Sequence, residues 1–112
     1  MILIIREPAT TEQLSQMAEA FTGNMIKLAV DVARGLLAGG GAMHADCEQG
    51  LLDDGSRQEN VWGADWYPDT QEVGFESLIN IRPRQQNFGL EVQDPMLREQ
   101  IETIVRHLLE KS

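Results

Sequence analysis

The densest group of side chains that could do chemistry comes directly after three consecutive glycines. His44, Asp46 and Glu48 are spaced by two residues, and Cys47, the only cysteine of the chain, lies among them. Imidazole, thiolate and carboxylate groups bind transition metals, and imidazole and carboxylate also serve as general bases. On a β-strand, His44, Asp46 and Glu48 would point to the same side and form a compact ligand set. This segment is therefore the first place to expect a site.

A helix would divide that ligand set. The apolar residues of the segment recur at helical spacing, and we predict a helix that ends at residues 53–56. At about 100° per residue, His44 and Glu48 share one face as an i, i+4 pair, whereas Asp46 points elsewhere. The pair could hold a metal with help from another strand, or Glu48 could tune His44 as a general base. The alternative is a histidine at the rim of the apolar stripe, hydrogen-bonded to a neighbour, with Cys47 as a small core residue.

The glycines themselves offer a second kind of chemistry. Gly40 and Gly41 lie between a predicted strand and the helix start, where backbone N–H groups can face an anion. The segment does not match the dinucleotide-binding or P-loop patterns, because the required glycine spacing and Lys-Ser/Thr pair are missing. The alternative is that the glycines permit a sharp bend or close packing of helix on sheet.

A polar loop carries the only concentrated positive charge. Asn80 and Arg82 are predicted on one face at the end of a strand, with Arg84 just beyond. Two arginines could clamp a carboxylate or phosphate, or they could bridge to the acidic middle of the chain. If this loop meets the glycine-led helix start, an anion pocket forms with His44 at its mouth. The candidate binding residues are Gly40, Gly41, His44, Glu48, Asn80, Arg82 and Arg84.

The elements that must position these residues follow from hydrophobic periodicity. Strands are predicted over residues 1–5, 25–32, 36–39, 61–67, 72–81 and 88–92, and helices after Thr10, from Met43 and after Asp94. Two hairpins imply a mainly antiparallel sheet. We therefore predict a single domain over residues 1–112, an α+β two-layer sandwich with four to six strands and about three helices. Trp62 and Trp66 share a strand face, which is typical of a core or of a subunit contact in a homo-oligomer.

Composition limits the possible partners. The net charge is −9, and residues 44–76 hold nine acids against the single base Arg57. An acidic chain is a poor nucleic-acid binder, and no apolar run is long enough to span a membrane. One cysteine cannot form an internal disulfide, which fits a reducing cytoplasm. The acidic middle is either a solvated surface or a surface for cations or a basic partner. No sequence feature identifies a cofactor.

Three segments together resemble a known family. They are G-G-x-x-H-A-D-C-E over residues 40–48, W-G-A over residues 62–64 and E-S-L-I-N-I-R-P-R-Q over residues 76–85. The chain is similar over residues 25–108 to small bacterial proteins grouped as a domain of unknown function. The resemblance implies a bacterial cytoplasmic protein and assigns no activity, cofactor or catalytic residue.

These observations leave three hypotheses about function. The first is a small cytoplasmic binding or regulatory domain without enzymatic activity, with a polar pocket for a small anionic ligand near residues 39–48 and 80–85. It would self-associate through the Trp-bearing hairpin or the sheet edge. The second is a small metal-dependent or anion-binding hydrolase that uses His44, with Glu48 as its partner and Arg82 or Arg84 as anion holders. The third is an acidic cation-binding protein.

Overall fold

The computed structural model describes residues 1–111 and contains a five-stranded antiparallel sheet with three α-helices. The elements are β1 (Leu3–Ile5), α1 (Thr11–Ala18), β2 (Ile26–Asp31), β3 (Leu36–Gly39), α2 (His44–Asp53), β4 (Val61–Tyr67), β5 (Glu72–Gly74) and α3 (Pro95–Leu109). Across the sheet the strand order is β1-β3-β2-β4-β5, which places β2 in the middle. The radius of gyration is 12.6 Å, close to the value of about 13 Å for a compact chain of this length. The predicted α+β class is confirmed.

Alternation along β2 and β4 separates two faces of the sheet. The even-numbered residues form one apolar face, with Ile26, Leu28, Val30, Trp62, Ala64 and Trp66 in register across the two strands. The odd-numbered residues face the other side, where Ala29 and Val61 are buried close to Lys27 and Asp65. Because both tryptophans are buried within this chain, they are core residues and not a surface for a second subunit.

The three helices are divided between these two faces. α1 and α3 cover the even-numbered face through Met17, Ala18, Ile101, Val105, Leu108 and Leu109. α2 covers the opposite face, where Cys47 and Leu51 pack on Leu36 and Ala38 of β3. The sheet is therefore a middle layer, instead of one of two layers as the sequence suggested. Burial on both sides explains why β3 is apolar at consecutive positions, since neighbouring residues of a strand point to opposite faces.

The helix ends agree with the predicted caps. The Thr10 hydroxyl accepts a hydrogen bond from the Gln13 N–H, and the Gln13 side chain accepts one from the Thr10 N–H, which completes a capping box. Asp94 caps α3 by accepting from the Met96 N–H, with Pro95 in the first turn. Among the described residues, no helix has the length and apolar character needed to cross a membrane.

The chain departs from the predicted strands after Gly74. The alternation predicts a strand over residues 72–81, but β5 ends at Gly74 and Leu78–Asn80 forms a 3₁₀ turn. The strand predicted over residues 88–92 is reduced to an isolated bridge between Glu76 and Glu91. The turn begins because the Ser77 hydroxyl accepts a hydrogen bond from the Ile79 N–H, which bends the backbone away from the strand direction.

Candidate functional site

His44 is held in one orientation by β4. It is the first residue of α2, and its Nε2 lies 2.7 Å from Asp65 Oδ1 and 3.1 Å from the Ala64 carbonyl oxygen. Both neighbours accept hydrogen bonds, so Nε2 carries a proton and donates it. In the neutral ring Nδ1 then holds a lone pair, and within residues 1–111 this nitrogen has no hydrogen-bond partner. The imidazole side chain is 12% exposed and that of Asp65 11%. The result is an oriented imidazole with one nitrogen available to a ligand.

The predicted pair of His44 and Glu48 is not formed. Glu48 instead accepts a charge-assisted hydrogen bond from Arg82 Nη2 at 3.2 Å. The i, i+4 spacing places both residues on one side of α2, as predicted, but each finds its partner in another part of the fold. Asp65 is therefore the carboxylate that orients His44, and Glu48 anchors an arginine.

Arg82 uses its guanidinium to attach the polar loop to the sheet. Nε donates to the Ile79 carbonyl at 2.9 Å, Nη1 to the Gln58 carbonyl at 2.7 Å, and Nη2 to the Val61 carbonyl and to Glu48. The guanidinium also lies 4.5 Å from the ring centroid of Trp62. Burial lowers the pKa of Arg82, and the Glu48 carboxylate opposes that effect. With these donors committed to protein oxygens, the two arginines do not form the expected anion clamp, and Arg84 is left exposed.

Asn80 is a buried structural residue instead of a groove-lining one. Its Oδ1 accepts from the Gly63 N–H at 2.8 Å, and its Nδ2 donates to the Gly63 carbonyl at 3.0 Å and the Phe75 carbonyl at 3.1 Å. Nδ2 also lies 3.3 Å from the Leu90 carbonyl. The Asn80 side chain thereby provides hydrogen-bond partners for the backbone of β4 and for the segments that precede and follow Asn80 in the chain. The 3₁₀ turn at Leu78–Asn80 replaces the predicted strand and places the Asn80 side chain within hydrogen-bonding distance of β4.

The two candidate glycines serve close packing. A Cβ atom on Gly40 would overlap the Met1 carbonyl oxygen, and the residue has a φ of +102°. A Cβ atom on Gly41 would lie 3.2 Å from Cys47 Sγ and from Asp46 Cβ. These contacts support the packing alternative for the glycines, because the space in front of them is filled by protein atoms. An anion seat at this helix start has no support in the geometry.

Cys47 is a core residue, as predicted. It is fully buried, its thiol lies 3.4 Å from the Lys27 carbonyl oxygen, and burial raises its pKa. A raised pKa keeps the sulfur in the thiol form, which is a poor nucleophile and a poor metal ligand. Among the described residues, no three His, Cys, Asp or Glu side chains are grouped so that they could hold a metal ion.

The candidate side chains are distributed between two neighbouring grooves. The first, here the His44 groove, has a volume of about 340 Å³ and is lined by Lys27, Met43, His44, Ala45, Glu76, Ser77, Leu78, Ile79 and Leu90. The second, the Arg84 groove, has a volume of about 540 Å³ and is lined by Glu48, Gln58, Leu78, Ile79, Ile81, Arg82, Pro83, Arg84 and Gln85. Leu78 and Ile79 line both grooves and form the ridge between them. His44 and the arginines are thus neighbours across this ridge and do not share one pocket.

Three charged residues near His44 were not singled out from the sequence: Lys27 and Glu76, which line the His44 groove, and Asp65, which holds the imidazole. Asp65 and Lys27 stand opposite each other on β4 and β2, and both were visible as polar positions on otherwise apolar strands. That alternation was the signal that could have found them. Glu76 carried no such signal, because its place in the groove depends on the turn that follows β5.

Large apolar side chains surround the grooves. Met43 is 56% exposed, Leu78 74%, Ile81 44% and Leu90 43%. We call these four residues the Leu78 patch. Each of them lines one of the two grooves or the ridge between them. Contiguous apolar patches larger than a few hundred Å² are rare on monomeric soluble proteins and mark binding sites.

Comparison with known proteins gives a family and no activity. A family model described as "Protein of unknown function (DUF5674)" matches residues 3–108. Searches of curated proteins and of solved structures found no match. This agrees with the resemblance of the three sequence segments to a family without an assigned function. Since the matched region covers nearly the whole length, the chain belongs to the DUF5674 family.

Proposed function

We propose that this protein is a small binding domain that engages a macromolecular partner through the Leu78 patch. The observation that carries the proposal is the exposure of four large apolar side chains around two adjoining grooves. Burying them against a partner is favourable by about 25 cal/mol for each Å² of apolar surface removed from water. The oriented His44 beneath the patch adds a hydrogen-bond acceptor that a partner can use for specificity. A cytoplasmic setting belongs to this proposal, supported by the single buried thiol of Cys47.

Site-specific photo-crosslinking tests the proposal. A photoreactive phenylalanine analogue replaces Leu78 or Leu90 in the patch, and Gln100, exposed on α3 across the sheet, provides the control position. Irradiation of cells that produce each variant should give a discrete adduct from the two patch positions and none from position 100. The same adducts from all three positions, or none from the patch, would contradict a binding function for this face.

A second candidate function is hydrolysis with His44 as the general base. The specific observation in its favour is the Asp65–His44 pair, in which a carboxylate orients the imidazole and leaves Nδ1 without a protein partner among residues 1–111. In such a mechanism Nδ1 would take a proton from a water molecule that attacks the substrate. The carboxylate that orients His44 is Asp65, whereas the sequence analysis expected Glu48.

Chromogenic ester and phosphate substrates separate this candidate from the binding function. Turnover should be lost in His44→Gln and retained in His107→Gln, which changes the other histidine, located in the last turn of α3. Equal rates for the two variants, or no turnover by the wild type, would remove the hydrolase candidate. Neither outcome affects the crosslinking test of the binding function.

A further inference from the structure

Among the residues that line the two grooves, one acid and one base are exposed to solvent. Glu76 lines the His44 groove and Arg84 lines the Arg84 groove, so the two charges lie on opposite sides of the Leu78–Ile79 ridge. Both residues are exposed, and neither forms an ion pair within the part of the chain that the structure describes. Of the other charged residues of the grooves, Glu48 is paired with Arg82, and Lys27 is only partly exposed, with its ammonium 5.2 Å from the centre of the Phe21 ring.

This arrangement is self-complementary. In a dimer with twofold symmetry the same patch on both copies supplies every contact, so each group must find its complement in the same patch. An axis that passes near Leu78 would bring the two ridges together and set Glu76 of each copy opposite Arg84 of the other. The two charged contacts would then flank a shared apolar centre, the usual layout of a stable interface.

Building on the binding function proposed above, we propose that the partner of the Leu78 patch is a second copy of this chain. A basic partner fits this surface less well, because the groove-lining charges without an ion pair are one acid, Glu76, and two bases, Lys27 and Arg84. Two chains that each carry −9 also need opposite charges in register where they meet, since like charges facing one another suppress association. The Glu76–Arg84 arrangement meets that need at the patch.

The mass in solution and a pair of charge reversals test this proposal. Wild type should have twice the mass of one chain by light scattering, and Leu78→Asp should have the mass of one chain. Glu76→Arg and Arg84→Glu should each weaken the dimer at least about tenfold, because each places like charges opposite one another twice. Glu99→Arg, an exposed reversal on α3, should leave the dimer unchanged. Circular dichroism confirms that every variant remains folded.

Mixing the two reversed variants gives the decisive measurement. In a heterodimer of Glu76→Arg with Arg84→Glu, both charged contacts again join an acid to a base, so the mixture should recover the dimer mass that neither variant forms alone. Failure of the mixture to dimerise, a wild-type monomer, or a dimer that survives Leu78→Asp would overturn the proposal. A wild-type monomer that still forms an adduct from position 78 in cells would overturn only the choice of partner and would leave the binding function supported.

Discussion

At the scale of single residues, side chains that resemble site residues have structural tasks. Arg82 and Asn80 use their polar atoms in hydrogen bonds to backbone groups, so these atoms are not available to a ligand. His44 differs, because its fixed Nε2 leaves the second ring nitrogen free of protein partners within residues 1–111. The residue type alone does not separate these cases, since all three are polar side chains that can bind ligands. What separates them is how many of their donors and acceptors the fold already uses.

Replacing Asn80 with alanine should lower the free energy of unfolding by about 3 kcal/mol, because it leaves several buried backbone groups of β4 and the neighbouring segments without partners. Urea denaturation measures the change. Asn24→Ala is the matched control: Asn24 is exposed and its side chain bonds only Thr22. The control should change stability by less than about 0.5 kcal/mol. Equal effects of the two substitutions would show that Asn80 does not hold these segments together.

At the scale of elements, the site depends on a close approach between β4 and the segment after β5. A Cβ atom on Gly63 would lie 2.5 Å from Ser77 Cβ, so only glycine lets this segment lie against the strand. In α2, by contrast, a Cβ atom on Gly50 would make an ordinary 3.5 Å contact with the Ile2 side chain. The two glycines look alike in the sequence, and their surroundings give them opposite consequences.

Gly63→Ala should therefore destabilise the protein by about 2 kcal/mol through overpacking. Gly50→Ala should stabilise it by roughly 0.5–1 kcal/mol, because alanine loses less backbone entropy in a helix interior. Thermal and urea unfolding of both variants provide the comparison. A stabilising Gly63→Ala would mean that the segment over residues 77–80 does not approach β4 as closely as described.

Asp54, the residue after α2, forms ion pairs with two distant parts of the chain, the segment after β1 and the turn between β2 and β3. It accepts from Arg6 at 2.6 Å and from Arg34 at 2.8 Å, and these two arginines lower its pKa. A lowered pKa stabilises the folded state above the unfolded-state pKa, about 3.9 for an aspartate, and this stabilisation is lost as the pH falls through the lower folded-state value.

Asp54→Asn should accordingly reduce stability at pH 7, and the difference from wild type should shrink as the solution is acidified below the pKa of the folded state. Denaturant unfolding across that pH range measures it. Asp53→Asn serves as the control, because Asp53 accepts only from Gln49 on the same helix. A deficit of Asp54→Asn that stays constant with pH would rule out the two arginine contacts as its cause.

At the scale of the whole molecule, local patterns predicted most of the fold and little of the site. Helix caps and hydrophobic periodicity act over a few residues, so the three helices and strands β1 to β4 could be predicted from the sequence. The partner of His44 lies 21 positions further along the chain, on β4, and no short-range rule selects it over Glu48. The turn at Leu78–Asn80 likewise depends on tertiary contacts, chiefly those of Asn80 with β4. The division of helices between two faces could not be predicted because α2 has only a narrow apolar stripe.

The net charge of −9 should make stability depend on salt in a way that tests the cation-binding hypothesis. Folding brings the acids of residues 44–76 closer together, so screening their mutual repulsion should raise the melting temperature as NaCl is added. The exposed ion pairs oppose this trend only weakly, since such pairs contribute little to stability. CaCl₂ or MgCl₂ at the same ionic strength should give the same rise, because screening depends on ionic strength and no three-ligand group is formed within residues 1–111. A larger rise with either divalent salt would instead reveal a specific site, because only an ion that binds the folded state adds stabilisation beyond screening.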